Sequence, residues 1–484
     1  MVDRIGIGSC PHAYSNQQNR QQRASSTRTG FLSKSIGILR NIFSGDDRTN
    51  PKKLLERRYI YFALLAVRLR TLRLAAYNCQ IKPDSISSDG MDGPDILESV
   101  YEQAVDELDA LHLDGMSNVR LREELQSALS PQVIEIFRAF QEVDECLHLS
   151  SLRDHSDGTQ EPRTDAEIFS EVDWAPFQQI LEDEFATVES DIETIRESST
   201  NDSTAQQNAL AFQERKLGAL ECLLTFHQTG RMFNENDYED LDDFGVDIRN
   251  TSDATLSVIR QYQTINLARS ALIRDRLGYS ILSLKSIIPG AGRGTFLDGK
   301  ALAGSIVAFQ PGDIWPKEHL LTNSPEVMEH FKDDDEDCQI SLRFDDYVVD
   351  SRYAPVTVLA RTGTMNPWAL GHMVNHPPAK VLPNCQSTMI NYTKRMQLGN
   401  LSQYVPNSYA RQPGWKSRFF YLEPILMHGL CLLSRRDINC EELVYDYRLQ
   451  SEETPDWYSV VDYGGDRMME EEQVVFFRDD WYEK

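Results

Sequence analysis

The chain has 484 residues and a net charge of −26 at neutral pH, enough length for two to four domains and an ordinary 40% of hydrophobic residues to build cores. Eight scattered cysteines, none two or three apart, exclude a disulfide framework and a Cys-x-x-Cys zinc site and point to a reducing compartment. No apolar run approaches the roughly 20 residues of a membrane span; the longest, Tyr59 to Val67, is bracketed by Arg57, Arg58, Arg68 and Arg70.

The charge is unevenly spread. Residues 1–80 hold 14 Lys/Arg and four Asp/Glu, leaving 35 basic and 71 acidic residues to the rest. An acidic body repels nucleic acid and favours a basic protein partner, and it also serves plain solubility. Residues 4–45 contain no acidic residue and six Lys/Arg, with Leu32, Ile36, Leu39 and Phe43 on one helical face. That pattern fits an organelle transit peptide and, more commonly, a disordered basic tail. Met1 to Cys10 lacks the apolar stretch of a secretory signal. An intracellular protein, nuclear or cytoplasmic, is expected, with mitochondria as the alternative.

Four regions follow from composition: a disordered basic extension over 1–50, a helical region over 51–275, a β-rich domain over 276–450, and a tail over 451–484. A basic amphipathic helix is expected from Lys52 to Tyr77, packed on the helices after it rather than on a membrane. Residues 80–93 read as a linker. Leu97, Tyr101, Ala104, Leu108 and Leu111 then repeat at helical spacing up to Gly115. Ser130-Pro131 reads as an N-cap and first helical position, before the stripe Val133, Phe137, Phe140 and Val143. Residues 150–170 are linker-like, and 176–197, 206–228 and 253–277 read as helices. The acidic stretch 234–247 lacks the register of a calcium loop and reads as solvated. Strands are expected at Ser280 to Lys285, Ser305 to Phe309, Tyr347 to Asp350, Glu423 to Leu433 and Glu442 to Tyr447. The fold class is therefore α+β.

Three motifs in this β-rich part are candidates for carrying chemistry. Pro289 to Phe296 is glycine-rich; glycines admit positive φ and close backbone approach. It lacks the spacing of a dinucleotide fingerprint and, alone, reads as a hairpin turn. His372 and His376 lie four apart, but the metalloprotease glutamate is missing between them and Pro377-Pro378 follows at once. No metal is expected there, with Cys385 the only further ligand in view. Glu441-Glu442-Leu443-Val444-Tyr445-Asp446-Tyr447 is a strand with alternating aromatics, and a phenol in a closed channel can orient an amine or take a proton.

In this order the three motifs resemble those of the SET family of protein-lysine methyltransferases. Gly292-Arg293-Gly294 resembles its first motif. Asn375-His376 with Pro383-Asn384-Cys385 resembles its Asn-His-Ser-Cys-x-Pro-Asn-Cys segment with extra residues inside, and Glu441 to Tyr447 its Glu-Glu-Leu-x-Tyr-Asp-Tyr signature. Leu277 to Ser280, Asn366 to Gly371 and Gln403 to Asn407 are similar to segments of one branch, SET domain-containing protein nine.

The resemblance implies a SET domain with a pseudoknotted C-terminal strand and S-adenosylmethionine as methyl donor. Gly292, Arg293, Gly294, Asn375 and His376 would hold that cofactor. Tyr447 would line both the cofactor site and the lysine channel as the catalytic residue, and Tyr445 would narrow the channel towards monomethylation. The partner is a protein substrate with a target lysine. Departures from the family stand at Pro377-Pro378, at residues 339–344, where no second channel tyrosine occurs, and after Cys440, where no post-SET cysteines follow. Trp457 and Tyr458 would close the channel instead, and Asp333 to Asp337 is either an attractor for a basic substrate or a solvated loop. The alternative is a catalytically inactive SET-fold interaction module.

Overall fold

The computed structural model describes residues 51–80, 100, 103–104, 106–108, 110–111, 116–149, 169–198, 204–230, 253–316, 319, 340–352, 365–411, 424–448, 458 and 461. The basic extension, the stretches 81–99 and 150–168, the acidic run 234–247, Asp333 to Asp337 and Trp457 lie outside the described residues.

Among the described residues five long helices precede ten strands: α1 (Pro51–Gln80), α2 (Asn118–Cys146), α3 (Ala175–Ser198), α4 (Thr204–Thr229) and α5 (Asp253–Leu277), then β1 (Tyr279–Lys285), β2 (Arg293–Ala301), β3 (Ile306–Gln310), β4 (Gly312–Trp315), β5 (Ile340–Leu342), β6 (Val348–Asp350), β7 (Cys385–Thr393), β8 (Asn407–Tyr409), β9 (Ile425–Ser434) and β10 (Ile438–Asn439). The architecture is α+β. Its strands form three small sheets ordered β1-β2-β10, β3-β9-β7 and β5-β6-β4-β8, antiparallel except where β4 pairs with β8.

Helix α1 differs from the amphipathic expectation. Ile60 and the unbroken run Phe62 to Val67 are buried, so its middle is covered on every face. A helix buried all round belongs to a core rather than to a membrane surface. It packs on α2 and along the loop before β3, where Gly304 (φ +82°) comes so close that a Cβ would stand 2.2 Å from the Ala66 carbonyl oxygen.

Helix α2 overturns the expected start at Ser130. Its N-cap is Ser117, whose Oγ accepts from the Arg120 N–H at 3.3 Å, and Pro131 lies inside the helix. An interior proline costs about 3 kcal/mol. Here the buried stripe Leu121, Leu125, Leu129, Val133, Phe137 and Phe140 runs unbroken across it, and each such side chain contributes about 1.5–3 kcal/mol on burial. Ser130 sends its hydroxyl back to the Gln126 carbonyl at 2.7 Å.

One core joins the helices to the sheets. Phe137 of α2 lies 5.5 Å from Phe309 of β3, 6.2 Å from Tyr392 of β7 and 5.9 Å from Tyr404, ring centre to ring centre. A second core places Leu181 and Val188 of α3 and Phe212, Leu220 and Leu223 of α4 against Leu282, Leu284 and Phe296 of the β1–β2 hairpin. A buried charge group crosses the same interface: the Lys216 ammonium pairs with Asp298 at 2.7 Å and with Glu184, which also takes Arg274. Helix α5 ends at Gly278, whose φ of +81° lets its N–H reach the Arg274 carbonyl at 2.7 Å and turns the chain into β1.

Candidate functional site

Residues 286–292 form the turn of the β1–β2 hairpin, closed by the Ser286 N–H on the Gly292 carbonyl at 2.8 Å. Gly290 and Gly292 take φ of +78° and +69°, conformations that exact little from glycine alone. The Arg293 guanidinium turns back along β1, its Nε donating to Ser283 Oγ at 3.1 Å and its Nη2 to the Ser283 carbonyl.

The Glu441 to Tyr447 segment is not a ladder strand. It is an extended chain whose pairings are single bridges, from Glu442 to Phe296, Val444 to Asn375 and Tyr445 to Cys385. On one side the Leu443 N–H reaches the Thr295 carbonyl at 2.7 Å and the Glu441 carbonyl takes the Leu297 N–H at 2.9 Å. On the other, the Tyr445 N–H donates to the Asn375 carbonyl at 3.0 Å and the Val444 carbonyl takes the Cys385 N–H at 3.0 Å. Asn384 completes the seam: its Nδ2 donates to the Glu442 carbonyl and its Oδ1 accepts from the Val444 N–H, both at 2.8 Å. The segment is thus laced between β2 and both ends of the 376–384 loop.

The three motifs meet at Glu442. Its carboxylate accepts from Ser286 Oγ at 2.7 Å, from the Ile287 N–H at 2.8 Å and from Asn375 Nδ2 at 2.9 Å. The same Asn375 amide donates to the Arg293 carbonyl at 3.1 Å and to Ser286 Oγ at 3.2 Å. A Cβ at position 294 would lie 2.2 Å from Glu442 Oε1, so any larger residue there has to push the Glu442 carboxylate aside. The Asn375 side chain therefore braces the hairpin turn from within.

Beyond that brace stands an aromatic group. The Tyr447 hydroxyl donates to the Val374 carbonyl at 2.9 Å, and its N–H reaches His376 Nδ1 at 3.3 Å. The rings of Tyr445 and Tyr447 are 5.0 Å apart, and His376 stacks on Tyr458 at 4.4 Å. Asp446 Oδ1 takes the Arg448 N–H at 2.9 Å and the Tyr458 hydroxyl at 3.3 Å. The expected residues Gly292, Arg293, Gly294, Asn375, His376, Tyr445 and Tyr447 thus converge on one place.

Sequence reasoning missed Ser286, Thr295 and the buried carboxylate of Glu442. Thr295, Glu442 and Asn384 lie inside the three motifs, but nothing adjacent to Ser286 in the sequence marks it. Where a second channel tyrosine was sought, Arg343 is buried: it pairs with Asp345 at 2.7 Å and donates to Asn391 Oδ1 at 2.7 Å and the Ile390 carbonyl at 3.0 Å. Gly371–Met373 is a single 3₁₀ turn, so His372 and His376 do not share an α-helical face. No group of three metal-ligating side chains occurs among the described residues.

No protein-family model matches the chain, and no curated protein matches it.

Proposed function

We propose that this chain is a SET-type protein-lysine methyltransferase that uses S-adenosylmethionine. The observation that carries the reading is the lacing of Glu441 to Tyr447 between β2 and both ends of the 376–384 loop, which brings three distant motifs together. Pairing of one segment with β2 on one side and with both loop ends on the other is the arrangement a pseudoknotted SET strand would have.

The residue set suits a cationic cofactor. Around the brace stand backbone carbonyls and the rings of Tyr445, Tyr447, Tyr458 and His376, while the nearby Arg293 guanidinium is turned to Ser283. Aromatic faces and carbonyls attract a sulfonium. At Gly290 the hairpin turn has open space, since a Cβ there would meet nothing within 4 Å among the described residues. Gly292, Arg293 and Gly294, through their backbone, and His376 would hold the cofactor, with Asn375 fixing the turn they belong to. When bound, the cofactor supplies an activated methyl group.

The protein has then to deliver a neutral amine in one orientation. Aromatic walls desolvate a lysine and disfavour its charged form. The Tyr447 hydroxyl, oriented by its bond to the Val374 carbonyl, would steer the amine, and Tyr445 narrows the passage beside it. The acidic body favours a basic stretch of a protein substrate.

A second reading, a SET-shaped interaction module without turnover, is favoured by Arg343, which occupies the core where a second tyrosine was expected. Titration calorimetry with S-adenosylmethionine, followed by transfer of labelled methyl to a lysine-bearing protein extract, separates the two. Binding with transfer supports the enzyme. Binding without transfer supports the module, and absence of binding at millimolar cofactor by the folded chain overturns both the cofactor and the reaction.

A further inference from the structure

Helix α1 touches both ends of the segment that carries Tyr445 and Tyr447. At the upstream end Arg73 makes a two-pronged pair with Asp437, at 2.8 and 3.0 Å, and Asp437 also takes the Ala303 N–H at 2.9 Å. At the downstream end the Arg448 guanidinium lies 3.7 Å from the ring centre of Tyr59, with the Phe344 ring at 5.9 Å. The rise from Tyr59 to Arg73 along an α-helix is about 21 Å. Between these points α1 is fixed against the β-rich part by the close approach of Ala66 to Gly304 and by Arg70 Nε on Ser305 Oγ at 3.1 Å.

Arg448 needs such a hold. Its φ of +55° places a side-chain-bearing residue in the left-handed region directly after Tyr447. The Asp446 carboxylate secures its N–H. Its Nε is buried and makes no hydrogen bond among the described residues, and the guanidinium lies against the rings of Tyr59 and Phe344.

We propose that Tyr59 is a positioning residue for Tyr447, acting through Arg448, and that α1 is a brace for the whole 437–448 segment. The role in the reaction rests on the methyltransferase reading; the brace itself does not. With the ring face gone, the left-handed turn relaxes, and Tyr447 loses its fixed contacts with His376 and Val374.

The test compares full-length wild type with Tyr59→Phe, Tyr59→Leu, Arg448→Gln and the Tyr59→Leu/Arg448→Gln double variant. The first readout is hydrogen–deuterium exchange of peptides covering residues 443–448. Tyr59→Leu and Arg448→Gln are expected to speed exchange there about tenfold, the scale of a partly desolvated cation–π contact. Tyr59→Phe, which keeps the ring, is expected to match wild type, and the double variant to exchange no faster than either single one. Unchanged exchange in Tyr59→Leu, equal acceleration in Tyr59→Phe, or additive effects in the double variant overturn the brace.

The second readout is steady-state methyl transfer. Tyr59→Leu is expected to lower kcat about tenfold with the cofactor KM held within about twofold, and Tyr59→Phe to restore kcat. A fall in Tyr59→Leu seen only in KM overturns the positioning role. A wild-type chain that transfers no methyl group overturns the enzymatic reading, while the exchange comparison still decides whether Tyr59 holds the segment.

Discussion

Asn375 Nδ2 donates to Glu442 Oε1 at 2.9 Å, and that same oxygen fills the space where a side chain at position 294 would begin. One contact therefore joins the turn of the β1–β2 hairpin, the loop after the 3₁₀ turn and the C-terminal segment. The polar residues of the three motifs hold one another before they hold any ligand.

Gly294→Ala tests that contact from the hairpin side. The added Cβ meets Glu442 Oε1 at 2.2 Å and Asn375 Nδ2 at 3.0 Å, so the brace has to move. A loss of about 1–3 kcal/mol is expected in urea unfolding, as for other overpacked sites. Combining it with Glu442→Ala should cost less than the two single changes together, because the clash is then already relieved. Strict additivity would show that Glu442 is not what the glycine accommodates.

Asn375→Ala removes an amide that serves Glu442, Ser286 and the Arg293 carbonyl together. Leaving a buried carboxylate one donor short costs more than an exposed hydrogen bond, about 1–3 kcal/mol. The expected result is a lower urea midpoint together with faster amide exchange at residues 286–294. Weaker cofactor binding in this variant would then report a loosened turn rather than a lost direct contact, and an unchanged midpoint would contradict the bracing role.

Tyr447→Phe is the cleaner probe of chemistry. It deletes one hydroxyl, bonded to the Val374 carbonyl, and keeps the ring packed 5.0 Å from Tyr445. Stability should fall by about 1 kcal/mol or less. Methyl transfer should drop at least tenfold in kcat, with cofactor affinity within about threefold of wild type, on the scale of one lost transition-state hydrogen bond. A variant with full turnover would remove the hydroxyl from the proposed mechanism.

Stability should fall in mild acid because of His428. Burial pushes its imidazole down to about 3, the nearby Arg343 guanidinium adds to this, and the Asp345 carboxylate opposes it. Its ring stacks on Tyr347 at 3.9 Å, and Nδ1 meets the Tyr409 hydroxyl at 2.6 Å. The unfolded imidazole takes its proton near 6.5, so between there and about 3 the unfolded state binds more protons. The contribution is complete above about 6.5 and is lost at up to about 1.4 kcal/mol per pH unit below it. His428→Gln should flatten urea stability between pH 6.5 and 4.5 by about one proton's worth. His227, also lowered by burial, leaves a residual slope in that variant. Below about pH 4 the loss steepens in both proteins: burial disfavours the Asp345 charge, but Arg343 overrides this and holds the carboxyl well below its usual range.

Much of this fold was legible in the sequence. The helix over 253–277 and the strands at Ser280 to Lys285 and Ser305 to Phe309 emerge within a residue or so, because hydrophobic periodicity records which face of a local element is buried. The residues that the structure brings together around Asn375 and Glu442 were legible as motifs, since glycine turns and paired aromatics keep their identity wherever the chain carries them. Pro131 was misread because a local rule of helix starts yielded to a stripe of side chains buried on both sides of it.

Tertiary structure alone decided what the motif residues touch. Ser286 meets Glu442 across 156 positions and Arg73 meets Asp437 across 364, and neither pair leaves a trace at its own neighbours in the chain. The physical reason is that a local pattern specifies the face an element buries. The partner of a buried polar group is chosen only when the packed elements bring a second group within hydrogen-bonding reach. The sequence by itself determined the elements and the residue types that make up the three motifs. The packing of α1, the hairpin and the laced C-terminal segment determined that Asn375 braces, that Glu442 is buried, and that Tyr59 stands beneath Arg448.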